Sequence, residues 1–151
     1  MNYKQIVLFL FLSFSAFQGY SQPAERQQIE NEYAKREVMI PMRDGTKLYT
    51  AIYEPCTKQQ RHPILMFRTP YGSGPYGKQF TDALEGELRH YTAKNYIIVW
   101  QDVRGRYMSE GEYENMRPVV LARGEKTNDV TDAYDTADWL VKHTHNNGCI
   151  G

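Results

Sequence analysis

Cysteine is scarce, with two among 151 residues, Cys56 and Cys149. That excludes a small disulfide-stapled scaffold, which needs several bridges in place of a core. Whether the two pair is open in the sequence, because a bridge requires close Cα atoms; each also reads as a small apolar residue. Net charge is lacking as well. Lys plus Arg and Asp plus Glu are 18 each, so no basic or acidic field points to a nucleic acid or a charged membrane surface as partner. Histidine is limited to His62, His90, His143 and His145. The last two stand two positions apart and would diverge on a helix, so they do not read as a zinc pair. His90 lies off the apolar pattern around it and is expected to face solvent.

A long hydrophobic run is missing too. Residues 6–12 are apolar and continue through Phe14, Ala16 and Phe17, which is shorter than the roughly 20 residues a membrane span requires. With Lys4 before it and Gly19 and Ser21 after it, the run reads as a secretory signal over residues 1–21. The mature chain is then expected to start at Gln22, to be secreted or periplasmic, and to carry no membrane anchor. What remains is enough for one small domain.

Residues 22–37 are charged and polar, with a weak apolar stripe of Ile29, Tyr33 and Ala34, and read as a surface helix or loose lead-in. From residue 38 to 42 and from 48 to 53 the chain alternates between apolar and polar, and Asp44-Gly45 between them signals a hairpin. Residues 64–67 and 96–100 are instead continuous apolar runs, the pattern of strands covered on both faces. Phe80, Ala83, Leu84, Leu88 and Tyr91 recur between them at helical spacing, so the unit reads strand, helix, strand, with parallel strands and a right-handed crossover. Gly86 weakens that helix by about 1 kcal/mol relative to alanine. A final helix has an apolar stripe of Val130, Ala133, Tyr134, Ala137, Leu140 and Val141, with Asp129 and Asp132 in the first turn, where carboxylates cap amides. Asp129, Asp132, Asp135 and Asp138 drift about 60° per step and share no site. Asn147-Gly148 closes the connection, and a strand is expected from Cys149. The fold class is α/β, a mixed sheet opening with an antiparallel hairpin and continuing with parallel strands.

In such a sheet, ligands bind beyond the carboxyl ends of the strands. Two loops fall there. Residues 69–77 combine Pro70, Gly72, Gly74, Pro75 and Gly77 with two tyrosines, and residues 102–118 are rich in charge and glycine. Phe67-Arg68-Thr69-Pro70-Tyr71-Gly72, Gln101-Asp102-Val103-Arg104-Gly105-Arg106 with Ser109-Glu110-Gly111, Asp132-Ala133-Tyr134-Asp135-Thr136 with Trp139, and then Asn147-Gly148 together carry a resemblance. They resemble the amino-terminal part of the X-Pro dipeptidyl-peptidase-like serine hydrolases, the family that includes cocaine esterase, glutaryl-7-aminocephalosporanic acid acylase and the α-amino-acid ester hydrolases. Tyr107 and Met116-Arg117-Pro118 lean towards the last of these. The likeness runs from about Val38 to Gly151.

The resemblance implies the first half of an α/β-hydrolase fold over residues 38–151. It implies an ester, amide or short peptide as substrate, an acyl-enzyme route and no cofactor or metal. It also implies that Tyr71 donates its hydroxyl to an oxyanion hole; by residue type alone, Tyr71 is equally a packed ring in a Pro/Gly-rich loop. Asp102 and Arg104 match the family segment but read as ties of a turn. Ser109 lacks the Gly-x-Ser-x-Gly elbow of a nucleophile. The family's serine is expected a few residues beyond Gly151, with its acid and histidine later, so that the chain by itself would be inactive. A secreted, non-catalytic ligand-binding module is the alternative reading.

Overall fold

The computed structural model describes residues 22–115 and 127–151. The expected signal segment, residues 1–21, and the Met116-Arg117-Pro118 motif lie outside them. Helix α1 (Gln22–Glu32) leads into strands β1 (Tyr33–Pro41), β2 (Lys47–Pro55) and β3 (His62–Thr69). A 3₁₀ turn (Asp82–Leu84), a single helical turn α2 (Arg89–Thr92) and strand β4 (Ile97–Asp102) follow, and helix α3 (Asp129–His143) and strand β5 (Asn146–Ile150) complete the order.

The five strands form one sheet in the order β1-β2-β4-β3-β5. β1 with β2 and β2 with β4 are antiparallel, whereas β3 is parallel to both β4 and β5. The hairpin is closed by hydrogen bonds from the Met42 amide to the Thr46 carbonyl (2.8 Å) and from the Gly45 amide to the Met42 carbonyl (2.9 Å). Gly45 sits at φ +87°, a conformation that favours glycine.

Ile97, Ile98 and Val99 of β4 are fully buried, as the continuous apolar run predicts for a strand covered twice. Ile97 and Val99 join Ile40, Leu48, Ile52, Ile64 and Leu140 on one face of the sheet. On the other face Ile98 packs with Tyr33, Tyr49, Ala51, Tyr53, Leu84 and Leu88.

Several sequence expectations shift in the structure. β1 starts at Tyr33, five residues before the alternation predicts, because the Tyr33 hydroxyl is buried and donates to the Thr92 (3.1 Å) and Tyr96 (3.0 Å) carbonyls. The expected crossover helix is broken around Gly86 into the 3₁₀ turn and α2, although Phe80, Ala83, Leu84, Leu88 and Tyr91 all still face the core. β5 begins at Asn146 rather than Cys149, since the buried Asn146 amide group donates to the Leu140 (3.2 Å) and Val141 (2.9 Å) carbonyls and so ends α3 as it opens the strand.

The largest correction concerns α3. Its buried residues are Asp132, Thr136 and Leu140, while Val130, Tyr134 and Val141 of the expected apolar stripe are exposed. Polar partners decide the rotation. Thr136 meets the buried Gln101 amide (2.9 Å), and Asp132 is held by Arg104. The cap is also different: Asn128 Oδ1 accepts from the amides of Val130 and Thr131, and the Thr131 hydroxyl is bonded by the Asn128 amide, a capping box that leaves Asp132 free to turn inward. Cys56 and Cys149 are both free and exposed.

Candidate active site

The two loops expected to carry chemistry leave the carboxyl ends of the parallel pair β3 and β4, where Thr69 stands opposite Asp102. Asp102 is fully buried and lashes the loops to each other. Its Oδ1 accepts from the Ser73 amide (2.6 Å), and its Oδ2 accepts from the Tyr76 hydroxyl (3.1 Å) and the Met108 amide (3.2 Å). Burial, reinforced by the neighbouring Asp102 charge, pushes the Tyr76 phenol up to about 12, so it stays a donor. The Tyr76 ring in turn packs edge-on against Tyr49 of β2, 5.1 Å between centroids.

Arg104 fastens the second loop. Its guanidinium makes paired hydrogen bonds to Asp132 of α3 (2.9 and 2.7 Å) and to Asp44 of the hairpin turn (2.8 and 3.3 Å). The Asp132 bonds, against an opposing effect of burial, hold the guanidinium above its ordinary range. Charge-assisted bidentate pairs of this kind fix orientation as well as position. Gly105 sits at φ +67°, and a Cβ there would lie 2.1 Å from the Tyr113 amide nitrogen, so the main chain folds back on itself only with glycine. The structural reading of Asp102 and Arg104 is therefore the one the contacts support.

Ser109 is fully employed. Its hydroxyl donates to the Asp102 carbonyl (2.6 Å) and accepts from the Tyr49 amide (2.9 Å), which ties the loop to β2 and commits the proton to a main-chain carbonyl rather than to a base.

Tyr71 is the opposite case. Its amide is held by Thr69 Oγ1 (3.0 Å) and the preceding Pro70 carbonyl by Arg106 Nε (3.0 Å), yet the residue is 83% exposed. Gly72 follows at φ +100°, where a Cβ would lie 3.2 Å from the Tyr107 ring. Arg106 lies over the Tyr107 and Tyr113 rings at 5.5 and 4.8 Å, and the exposed Met108 adjoins them in sequence. A phenol donor thus stands on a fastened main chain, on the rim where an α/β sheet takes its ligands.

Sequence reasoning missed several members of this assembly: Thr69, Ser73 and Tyr76 in the first loop, Arg106 in the second, and Lys35 on β1, whose ammonium reaches the first loop's carbonyls. Thr69 and Arg106 stood within the motifs that carry the resemblance without being given a role, and Tyr76 was the second tyrosine of a Pro/Gly-rich stretch; Ser73 and Lys35 left no signal. The histidines lie elsewhere. His62 begins β3, about 23 Å from its carboxyl end at 3.3 Å per residue; it is buried beside His145, and His90 is exposed. Among the described residues no group of three or more His, Cys, Asp or Glu could hold a metal ion. The aspartates of α3 go to separate partners, Asp132 to Arg104, Asp135 to Arg43 and Asp138 to Lys142.

Residues 44–151 match the X-Pro dipeptidyl-peptidase (S15) family. The chain belongs to this family. The S15 family is one of serine hydrolases, and the mixed sheet is the start of its α/β-hydrolase fold. A cocaine esterase from Rhodococcus sp. (strain MB1 Bresler) is 33% identical over 117 residues, which cover 76% of this chain and 18% of that enzyme. Among solved structures, a selenomethionine-labelled α-amino acid ester hydrolase is 44% identical with a TM-score of 0.69, covering 81% of this chain and 21% of that one. An aminopeptidase from a marine sediment Thaumarchaeota archaeon is 41% identical with a TM-score of 0.63, covering 79% and 20% respectively. The chain therefore spans about a fifth of the length of these relatives.

Proposed function

We propose that this chain supplies the oxyanion side of a secreted serine hydrolase that cleaves ester or amide bonds of acyl, aminoacyl or short peptide substrates. The serine, acid and histidine lie in this reading outside the 151 residues, which contain no Gly-x-Ser-x-Gly segment. One observation carries it: the exposed Tyr71 phenol on a main chain tied on both sides, at Pro70 and at Ser73. The relatives' names, an esterase, an ester hydrolase and an aminopeptidase, agree with it.

The serine oxygen attacks the scissile carbonyl carbon while histidine takes its proton. The carbonyl oxygen becomes an oxyanion, and the Tyr71 hydroxyl donates a hydrogen bond that is stronger in the tetrahedral state than in the planar substrate. Collapse expels the alcohol or amine, protonated by histidine, and leaves an acyl-enzyme that water cleaves by the same steps. Because the loop is already fastened, the main chain that carries the donor needs no reorganisation when charge develops. That preorganisation is what makes such donors effective.

Tyr71→Phe in the longer protein that includes the serine region tests the reading. The variant keeps the ring and removes only the hydroxyl, so kcat should fall by roughly 10²- to 10³-fold with a smaller change in KM. An unchanged kcat in a folded variant would refute it and leave Tyr71 a surface ring.

A further inference from the structure

Lys35 stands on β1, the edge strand of the sheet, opposite Tyr53 of β2. It comes from the most highly charged stretch of the chain, yet its side chain is only 3% exposed. An ammonium has three hydrogens to donate. Three carbonyl oxygens of the Tyr71 loop receive them: Pro75 at 2.6 Å, Gly77 at 2.8 Å and Gln79 at 2.8 Å. Glu37, two residues along the strand on the same face, balances the charge at 3.1 Å, and the Tyr53 ring closes the cage at 5.5 Å. A cation is kept in so dry a place only when its donors are fully used.

The register of β1 on β2 is continuous from Tyr33 to Pro41 and is made by main-chain bonds, so the ammonium is not needed to build the strand. Its hydrogen bonds serve the loop. That loop contains Gly72 at φ +100° and Gly77 at φ +76°, conformations with little intrinsic stiffness. It is held by two fasteners of opposite polarity. Asp102 takes its donors, the Ser73 amide and the Tyr76 hydroxyl, and Lys35 takes its acceptors. The first lies two residues beyond Tyr71, and the second fixes the segment that follows.

We propose that Lys35 is a positioning residue for the hydrolysis: its ammonium clamps the far half of the loop and thereby holds the Tyr71 hydroxyl at the place where the oxyanion forms. This rests on the oxyanion reading of Tyr71 given above.

The test is a double-mutant cycle in the longer, catalytically complete protein, with Lys35→Met, Tyr71→Phe and the two combined. Lys35→Met keeps the aliphatic stem and removes the ammonium. It should lower kcat by roughly 10- to 100-fold with KM little changed, since misplacing a catalytic group by about 1 Å costs that much. The double variant should be no slower than Tyr71→Phe alone, because the position of the loop ceases to matter once the hydroxyl is gone. Losses that multiply in the double variant would make Lys35 a general stabiliser and overturn the proposal. An unchanged kcat in Lys35→Met beside a lowered kcat in Tyr71→Phe would also overturn it, while leaving the oxyanion reading intact. An unchanged kcat in Tyr71→Phe would overturn both. If Lys35→Met does not fold, Lys35→Arg replaces it: the charge against Glu37 is kept, but a planar fork cannot converge on three carbonyls, and kcat should still fall. Full activity of a folded Lys35→Arg would be equally fatal to the proposal.

Discussion

Replacing Asp102 by asparagine changes one oxygen to an NH₂ group and almost nothing in shape, so it isolates the polarity of the tie between the two loops. All three groups that meet the carboxylate are donors: the Ser73 amide at Oδ1, and the Tyr76 hydroxyl and Met108 amide at Oδ2. An asparagine has one acceptor oxygen. If that oxygen faces Ser73, the new NH₂ faces Tyr76, whose hydroxyl can rotate to accept, and Met108, whose amide cannot. If it faces Met108, the Ser73 amide is stranded. Either way one buried main-chain donor loses its partner, at about 1–3 kcal/mol, and the remaining bonds lose the assistance of the charge. The total is about 2–4 kcal/mol. Amide hydrogen exchange reads this locally, at the two amides concerned, which a global unfolding curve does not. At 1.4 kcal/mol per tenfold, exchange at Ser73 and Met108 should quicken by about 30- to 700-fold. Amides in the middle of β2, such as Ile52, should not change. Exchange at Ser73 and Met108 within about threefold of the parent protein, below the roughly 1 kcal/mol of even one lost hydrogen bond, would show that Asp102 does not hold the loops together.

Acid should weaken the fold from the carboxylates outward. Arg43 holds Asp135 below the usual range, and at Asp44 the bonds from Arg104 and the Thr46 amide outweigh a burial that alone would raise it. A depressed carboxyl stabilises the folded state above its unfolded pKa, near 4, and loses that contribution as pH falls through the folded value. Tm should therefore be level between about pH 7 and 5 and decline below about pH 4; a Tm that rises on acidification would contradict the pairings. For localisation, mass spectrometry of the exported protein should find Gln22 at its amino terminus, and an intact Met1 on that species would sink the signal-peptide reading.

The strands around residues 64–67 and 97–100 were legible because a buried parallel strand is apolar on both faces, and that pattern needs no knowledge of neighbours. The hairpin was legible from Asp44-Gly45, where the turn conformation selects its residues. The orientation of α3 was not. Asp132 and Thr136 look solvent-facing in a sequence, and only the arrival of Arg104 and Gln101 from β4 and its loop makes their burial favourable. Lys35 was illegible for the same reason. Set among Arg36 and Glu37 it resembles any charged surface segment, and the three carbonyls that receive it are 40 or more positions away. Tyr71 could be singled out, but on resemblance; its residue type and loop composition alone did not distinguish a catalytic hydroxyl from a packed ring. His62 and His145 carried no assignment in the sequence, and the fold places them together where β3 and β5 begin, away from the rim.

The grip on the Tyr71 loop falls almost wholly on main-chain atoms: the carbonyls of Pro75, Gly77 and Gln79, and the amides of Tyr71 and Ser73. Such a grip does not read the side chains of the residues it holds, although Gly77, at φ +76°, is restrained by its own backbone. Exchanging the exposed side chain of Lys78 or Gln79 changes the surface there without removing any of these main-chain bonds. The outer surface of the loop can therefore change residue by residue while the main chain that carries Tyr71 stays where it is.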